Sequence, residues 1–225
     1  MIGRVLGWML SLVFGLVLLS LLWVLAYRWV DPPITWIQAR DRLAGVPVQQ
    51  QWVGLEGMTR AMPRAVIGAE DANFCAHNGF DLEAIEAAME RNAKSKRVVG
   101  GSTISQQTAK NAFLWPQRSW VRKGLEAYFT VLIELVWGKP RIMEVYLNIA
   151  EMGRGIYGVE AASRHYFNKS AATLTRREAA RLAAILPQPI KRDPTELKRK
   201  ERRKARAIEK RIRVVRDENI DACLF

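Results

Sequence analysis

The feature that most constrains the fold is a long apolar run at the amino-terminal end of the chain. No charged residue falls between Arg4 and Arg28, and the 23 residues from Val5 to Tyr27 are mostly apolar. About 20 such residues suffice to cross a bilayer as a helix. The run lacks the polar face of a soluble helix and the short length and cleavage site of a signal peptide. We therefore predict a retained transmembrane anchor within residues 1–30, whose orientation the flanking charges leave open.

The remainder of the chain divides into three parts by composition. Asp31-Pro32-Pro33 ends the anchor and opens a connector over residues 31–47. Residues 48–190 show helical periodicity and few alternating β-branched runs, which predicts one all-α domain. From Lys191 to Arg216 there are 13 Lys or Arg against four Asp or Glu, so we interpret residues 191–225 as a basic tail. Such a segment is either a solvated helix or a membrane-surface helix.

Capping signals and apolar spacing predict the helices of the domain. Asp81 and Ser102 are suitable N-caps, and Thr175 opens a capping box. A flexible break is predicted at Val98–Gly101, and the long helix after it is expected to bury Val121 among its apolar residues. The predicted helices run from Leu82 to Asn92, from about Ser102 to Phe113, from about Ser119 to Trp137 and from Thr175 to Leu186. Between the last two, one helix is predicted to begin at about Pro140, and another to end at Phe167.

Charge and cysteine content narrow the partners and exclude some sites. Lys and Arg number 35 against 22 Asp and Glu, which gives a net charge of +13. This predicts an anionic partner: nucleic acid, an acidic membrane surface or a phosphate-bearing substrate. Cys75 and Cys223 lie far apart and have no metal-ligand spacing, and the histidines are only His77 and His165. We therefore expect neither a disulfide nor a zinc site, and we interpret both cysteines as having no structural or functional role.

Adjacent acids at Glu70 and Asp71 form the first candidate site. Neighbouring like charges oppose ionisation, which can give a carboxylate a pKa suited to a general base. A polar run follows to Asp81 and includes His77. The alternative is that both acids are surface charges and Asp81 merely caps a helix, since paired acids are only probabilistic markers of a site.

Two further blocks indicate anion binding. Gly100 and Gly101 precede a helix start, where backbone N–H groups can approach a phosphate, although the P-loop spacing is absent. Lys110 lies on the same helix. Arg118, Arg122 and Glu126 are spaced four apart, so they share a helix face, and Lys123 adjoins them. Two guanidinium groups on one face repel unless an anion lies between them, and a diphosphate fits that requirement. The simpler alternative is a helix-stabilising pair between Arg122 and Glu126.

These blocks, in this order, resemble the motifs of the family 51 glycosyltransferases, the peptidoglycan glycosyltransferases. The resemblance covers about Val48 to Pro189. Neither Ser-x-x-Lys nor Lys-Thr-Gly occurs, so the chain resembles the monofunctional branch, without a transpeptidase module. The matching residues are Glu70, Asp71, Phe74, His77, Gly79 and Asp81 in the first motif, Gly100 to Gln107 in the second (with Ser105 where Thr is common), Arg122, Lys123 and Glu126 in the third, Glu144 to Asn148 in the fourth, and Gly153 to Lys169 in the fifth.

The resemblance implies a lysozyme-like fold and the polymerisation of lipid II, with undecaprenyl diphosphate released. Glu70 is then the general base. Glu126 is the second catalytic acid, which either positions the cations or binds Mg²⁺ or Mn²⁺, and no organic cofactor is implied. Substrate contacts are implied for Asp71, His77, Ser102, Gln106, Gln107, Lys110, Arg118, Arg122 and Lys123.

The resemblance also implies a place of action and a set of partners. We expect a single-pass protein of the cytoplasmic (inner) membrane with its catalytic domain on the periplasmic side. The expected partners are lipid II, the growing lipid-linked glycan, the membrane and other cell-wall synthesis or division proteins, without nucleic acid. Two alternatives remain open. A lysozyme-like glycoside hydrolase would also use two acids, and a basic membrane scaffold or nucleic-acid binder would need neither.

Overall fold

A computed structural model describes residues 2–94 and 100–225, and this part of the chain is mostly helical, as predicted. Of the predicted break at Val98–Gly101, Val98 and Val99 lie outside the described residues. The helices are α1 Ile2–Ala26, α2 Trp36–Leu43, α3 Ala61–Glu70, α4 Leu82–Lys94, α5 Ile104–Phe113, α6 Trp120–Val136, α7 Lys139–Ile149, α8 Val159–Phe167, α9 Arg176–Ile185 and α10 Arg199–Asp217.

A small sheet that the sequence did not indicate joins the connector to the domain. Strand β1 (Gln49–Gln50) pairs in parallel with β3 (Ile156–Tyr157), and β3 pairs antiparallel with β2 (Glu151–Gly153). At the turn between β2 and β3, Gly155 has a φ of +75°, and an added Cβ would lie 2.3 Å from the Pro47 carbonyl oxygen. The sheet thereby fixes the end of the connector against the domain.

Helix α3 lies at the centre of the core. Met62, Val66 and Ile67 are fully buried, and the helix packs against α9 and α10. A helix that is apolar on nearly all sides must be covered on all sides. Because α3 is held so completely, the position of its last residue, Glu70, is fixed by the core.

The amino-terminal helix α1 is both a candidate membrane span and a docked element. Its stretch Gly3–Ala26 is long and apolar enough to cross a membrane, with mean hydropathy 2.6, and only 6% of that window is buried. A core helix of a soluble protein would be mostly buried, so the exposure favours a span. Its last turns pack on α6: Val24 is fully buried, its carbonyl accepts from Trp137 Nε1 at 2.7 Å, and Ser20 Oγ lies 2.7 Å from Tyr128 Oη.

The carboxyl-terminal segment is part of the core, which differs from the expected basic tail beginning at residue 191. Helix α10 packs along α3 and α9. Ala205, Ile208, Ile212 and Val215 are buried at helical spacing, while most of its Lys and Arg side chains are exposed. The many Lys and Arg residues of this segment make its narrow apolar stripe difficult to recognise in the sequence. The domain therefore continues through α10.

Two local expectations are wrong by a turn or less. Helix α5 is capped by Thr103, whose side chain accepts from the Gln106 amide, and Ser102 lies one residue outside it. In α6, Val121 is 70% exposed, whereas Arg122 is buried. The first turn of α6 thus turns its polar side inward, toward a cleft, rather than its apolar side.

Candidate active site

Glu70 ends α3 at the edge of the core, where three elements meet around its carboxyl group. Its Oε2 accepts from Gln107 Nε2 of α5 at 3.4 Å, and its Oε1 lies 3.6 Å from Lys204 Nζ of α10. Burial raises the pKa of Glu70, Lys204 and Gln107 oppose that shift, and Asp71 adds to it. A carboxyl group with a raised pKa is suited to accept a proton near neutral pH.

Asp71 points away from Glu70 and organises the loop that follows. Its carboxylate accepts from the Ile104 amide at 2.8 Å and from His77 Nε2 at 3.0 Å. The Gly79 amide donates to His77 Nδ1 at 3.1 Å, so Nδ1 is the acceptor nitrogen. The Nε2–H of His77 therefore donates the hydrogen bond to Asp71. Both side chains are engaged with the protein. Their position supports a role in shaping the loop, while their predicted substrate contact stays a prediction.

The start of α5 is tied to the same loop. Thr103 and Gln106 form a capping box, and Thr103 Oγ1 donates to the Gly79 carbonyl at 2.7 Å. Gly79 has a φ of +93°, and an added Cβ would lie 2.8 Å from Thr130 Cγ2. Gln106 is therefore a capping residue, whose side chain also borders a small cavity beside α4.

Gln107 connects the general-base candidate to a larger cleft. Its Nε2 donates to Glu70 and its Oε1 accepts from Tyr146 Oη of α7 at 3.3 Å. The same side chain lines a cleft of about 360 Å³. The family resemblance implies a substrate contact for Gln107, but local sequence spacing does not indicate its link to Glu70 or to Tyr146.

The cleft beyond Gln107 is lined by cations from α5 and α6. Burial lowers the pKa of Lys110, Glu126 opposes that shift, and Arg122, Lys123 and Arg118 add to it, which shows how closely these charges are grouped. Four cations against one acid leave the cleft strongly positive, as an anionic ligand requires. The residues lining it include Ser102, Gln107, Lys110, Arg118, Arg122, Lys123 and Glu126.

Glu126 holds two of these cations in place. Its Oε2 accepts from Arg122 Nη1 at 3.1 Å, and its Oε1 accepts from Lys123 Nζ at 2.5 Å. Glu126 is 3% exposed, and its pair with Arg122 is buried, whereas the Lys123 side chain is 45% exposed. The Nε–H of Arg122 is buried and has no hydrogen-bond partner in the described part of the chain. A buried donor without a partner is uncommon in proteins, and Arg122 also lines the cleft.

The residues present do not form a resident metal site. Among residues 2–94 and 100–225, no group of three or more His, Cys, Asp or Glu side chains could hold a metal ion. Both carboxylate oxygens of Glu126 already accept hydrogen bonds from cations. The possible Mg²⁺ or Mn²⁺ contact of Glu126 therefore stays a prediction, and no step below depends on it.

Cys75 and Cys223 form a disulfide, which corrects the expectation that both are incidental. Their Cα atoms lie 5.5 Å apart although 148 residues separate them along the chain. Cys75 belongs to the loop after Glu70, and Cys223 follows α10. Pairing could not be inferred from a separation this long, because spacing has meaning only for cysteines on one local motif.

Comparisons with known proteins agree with this arrangement. A protein family described as Transglycosylase matches residues 39–215. A biosynthetic peptidoglycan transglycosylase of Caulobacter vibrioides is 56% identical over 168 residues, which cover 75% of this chain and 73% of the relative. Relatives with the same name are 54% identical in Shewanella oneidensis, over 84% of this chain and 82% of the relative, and 46% identical in Rhodospirillum centenum, over 100% and 98%.

Proposed function

The chain belongs to the transglycosylase family, and from that premise we propose that Glu70 is the general base of its sugar transfer. The chain is a peptidoglycan glycosyltransferase, as the family match and the relatives' names indicate. The observation that carries the residue assignment is Gln107, which contacts Glu70 and also lines the cationic cleft. Gln107 thus links the base to the cleft that the cations line.

In the proposed reaction, two lipid-linked sugars meet between Glu70 and the cleft. Glu70 takes the proton from the 4-hydroxyl of the acceptor N-acetylglucosamine of lipid II. That oxygen attacks the anomeric carbon of the donor N-acetylmuramic acid and inverts it, while the bond to the undecaprenyl diphosphate breaks. The burial of Glu70, which raises the pKa of its carboxyl group, suits this proton transfer.

The departing diphosphate is the group that the cations stabilise. Negative charge grows on it as the bond breaks, and fixed cations aimed at developing charge usually supply the largest catalytic effect. Lys110, Arg122 and Lys123 border the cleft, and Arg122 offers an N–H that lacks an acceptor. Glu126 contributes by holding Arg122 and Lys123 in place, rather than by touching the reacting atoms.

Two neighbouring cavities provide room for two substrates. The second one, of about 270 Å³, is bordered by Ile85 and Met89 of α4 and shares Ser102 and Lys123 with the cationic cleft. A transfer between two sugar chains needs two adjoining sites, whereas a hydrolase needs one chain and a water molecule. A hydrolase also has no use for four cations, so the arrangement favours transfer.

We place the catalytic domain outside the cytoplasmic membrane, with α1 as a single-pass anchor. The exposed apolar helix is suited to span the bilayer that holds both lipid-linked substrates. The disulfide between Cys75 and Cys223 supports the extracytoplasmic side, because disulfides persist in oxidising compartments. Other cell-wall synthesis or division proteins remain proposed partners.

Polymerisation of purified lipid II by the full-length protein and by Glu70→Gln tests the proposal. Loss of the base should reduce polymer formation by about 10²–10⁴-fold. Glu196→Gln removes an exposed acid that does not line the cleft, so this variant should polymerise lipid II at the wild-type rate. Circular dichroism and thermal unfolding should show that both variants are folded.

Finished glycan strands, incubated separately with the wild-type protein, test the hydrolase alternative. Shortened strands, together with no polymer from lipid II, would support cleavage and overturn the proposed transfer. Polymer from lipid II at the wild-type rate with Glu70→Gln would remove Glu70 from its role.

A further inference from the structure

Lys204 of the carboxyl-terminal helix faces the proposed general base. Its Nζ lies 3.6 Å from Glu70 Oε1, and the Glu70 side chain is only 16% exposed. Lys204 stands outside every motif that the sequence analysis singled out, within the segment that was expected to be a tail. It is a cation at the base itself, on the side of Glu70 opposite its hydrogen bond to Gln107.

Helix α10 is fastened to α3, so Lys204 is held at a fixed position relative to Glu70. A Cβ added at Gly68 would lie 2.9 Å from Arg211 Cβ, which shows that the two helices touch. Arg211 Nη1 also donates to the Gly68 carbonyl at 2.8 Å. Beyond α10, Asp221 pairs with Arg64 of α3 at 2.6 Å. Ala205, the neighbour of Lys204, is buried in the same interface.

The remaining groups around Glu70 do not replace this charge. Asp71 is an acid, Gln107 is neutral, and burial raises the pKa of Tyr146 well above its ordinary value, so that phenol is also neutral. Glu70 also ends α3, where the partial negative charge of the helix terminus disfavours a carboxylate.

Among the charged groups around Lys204, Glu70 is the one that attracts its ammonium group. Burial lowers the pKa of Lys204, Glu70 opposes that shift, and Arg192 and Arg211 add to it. The two arginines repel the Lys204 ammonium, so Glu70 is the acid that holds it. Lys204 is accordingly the cation that offsets the burial of Glu70.

We propose that Lys204 is a positioning residue, which keeps the Glu70 carboxylate ionised and directed toward Gln107 and the cleft. This inference rests on the proposed function, because it gives Glu70 the role of base. It makes the basic carboxyl-terminal segment a part of the catalytic centre. Lys204 itself touches no reacting atom in this account.

The pH dependence of kcat/KM for lipid II polymerisation tests the proposal in the full-length protein. The acidic side of the profile reports the ionisation of the base in the free enzyme. Without the nearby cation, the Glu70 carboxylate is harder to form, so Lys204→Met should move that midpoint upward by about one pH unit. The rate should recover at higher pH, and Lys204→Arg should restore the wild-type midpoint.

Two further variants separate charge from structure. Lys204→Gln, a second uncharged replacement, should move the midpoint in the same direction and covers the case in which Lys204→Met does not fold. Lys210→Met removes an exposed lysine from the same helix and should leave the profile unchanged. A structural role alone would lower the rate at every pH and leave the midpoint in place.

An unchanged midpoint in both uncharged variants would overturn the role of Lys204, whatever the rate. If Glu70→Gln is inactive at the same time, the general base stands and only the Lys204 inference fails. If Glu70→Gln polymerises normally, the proposed function itself fails.

Discussion

At the residue scale, Arg122 lines the cationic cleft and has incomplete hydrogen bonding. It is 8% exposed and pairs with Glu126 through Nη1, yet its Nε–H has no partner among the described residues. An unsatisfied buried donor costs about 1–3 kcal/mol, and more on a charged group. A protein retains such a cost where a ligand removes it, and a phosphate oxygen can accept from the side of a guanidinium group.

Replacement of Arg122 should therefore affect the chemical step more than the fold. Arg122→Met should lower kcat/KM by about 10²–10³-fold, since one group that stabilises developing charge contributes about 2.7–4 kcal/mol. Arg122→Lys keeps the charge but loses the Nε–H, so it should recover only part of the activity. Initial rates with lipid II provide the measurement, and Arg213→Met, on the exposed side of α10, is the control. A change in KM alone, with kcat unaffected, would contradict this account.

Local patterns indicated some residues of the site and could not indicate others. Glu70 and the cations were found because each block is dense in functional groups within a few residues. The inward orientation of Asp71 was not predictable, since spacing does not say which way a loop side chain turns. Lys204 gave no signal at all, because nothing in a run of Lys and Arg distinguishes the member that meets Glu70.

At the element scale, α5 joins the two halves of the site through its amino-terminal end. Thr103 caps the helix and also donates to the Gly79 carbonyl of the preceding loop. Asp71 accepts from the Ile104 amide in the first turn. The same helix carries Gln107 and Lys110, so its position sets the distance between base and cations.

Removal of this cap should change both stability and activity. Thr103→Ala should lower the free energy of unfolding by about 0.5–2 kcal/mol, as the loss of an N-cap typically does. It should also slow lipid II polymerisation, because Gln107 and Lys110 then shift. Thr175→Ala removes the equivalent capping box from α9 and should cost similar stability while leaving the rate unchanged. Chemical denaturation and initial rates measure the two effects, and equal rates for both variants would refute the link through α5.

Helix boundaries were largely predictable, whereas helix surroundings were not. The capping box at Thr175, the N-cap at Asp81 and the apolar spacing after Ser119 indicated α9, α4 and α6 to within about two residues. Apolar spacing reports that a helix has a buried side, but tertiary neighbours decide where that side begins. For this reason Val121 was wrongly expected to be buried, and the apolar stripe of α10 was overlooked.

At the scale of the whole molecule, both ends of the chain are fixed to the catalytic domain. The anchor packs on α5 and α6: the Trp23 ring lies 5.2 Å from that of Phe113 in α5, and Arg28 Nη1 donates to the Val136 carbonyl of α6 at 2.6 Å. The carboxyl-terminal segment packs on α3. The first attachment would set the height of the cleft above a bilayer that α1 spans, and the second sets the environment of Glu70.

The disulfide closes the second attachment, so its loss should loosen the molecule around Glu70. Cys75 and Cys223 enclose a loop of 148 residues, and a cross-link over so long a loop typically stabilises a protein by about 2–4 kcal/mol. Replacement of both cysteines by Ala should therefore lower the melting temperature, with a smaller decrease in the polymerisation rate than in Glu70→Gln. Dithiothreitol should lower the melting temperature of wild type toward that of the double variant and leave the double variant unchanged. Equal melting temperatures for wild type with and without reductant would mean that the cross-link does not stabilise the fold, and that the apolar stripe of α10 and its polar contacts with α3 hold the segment.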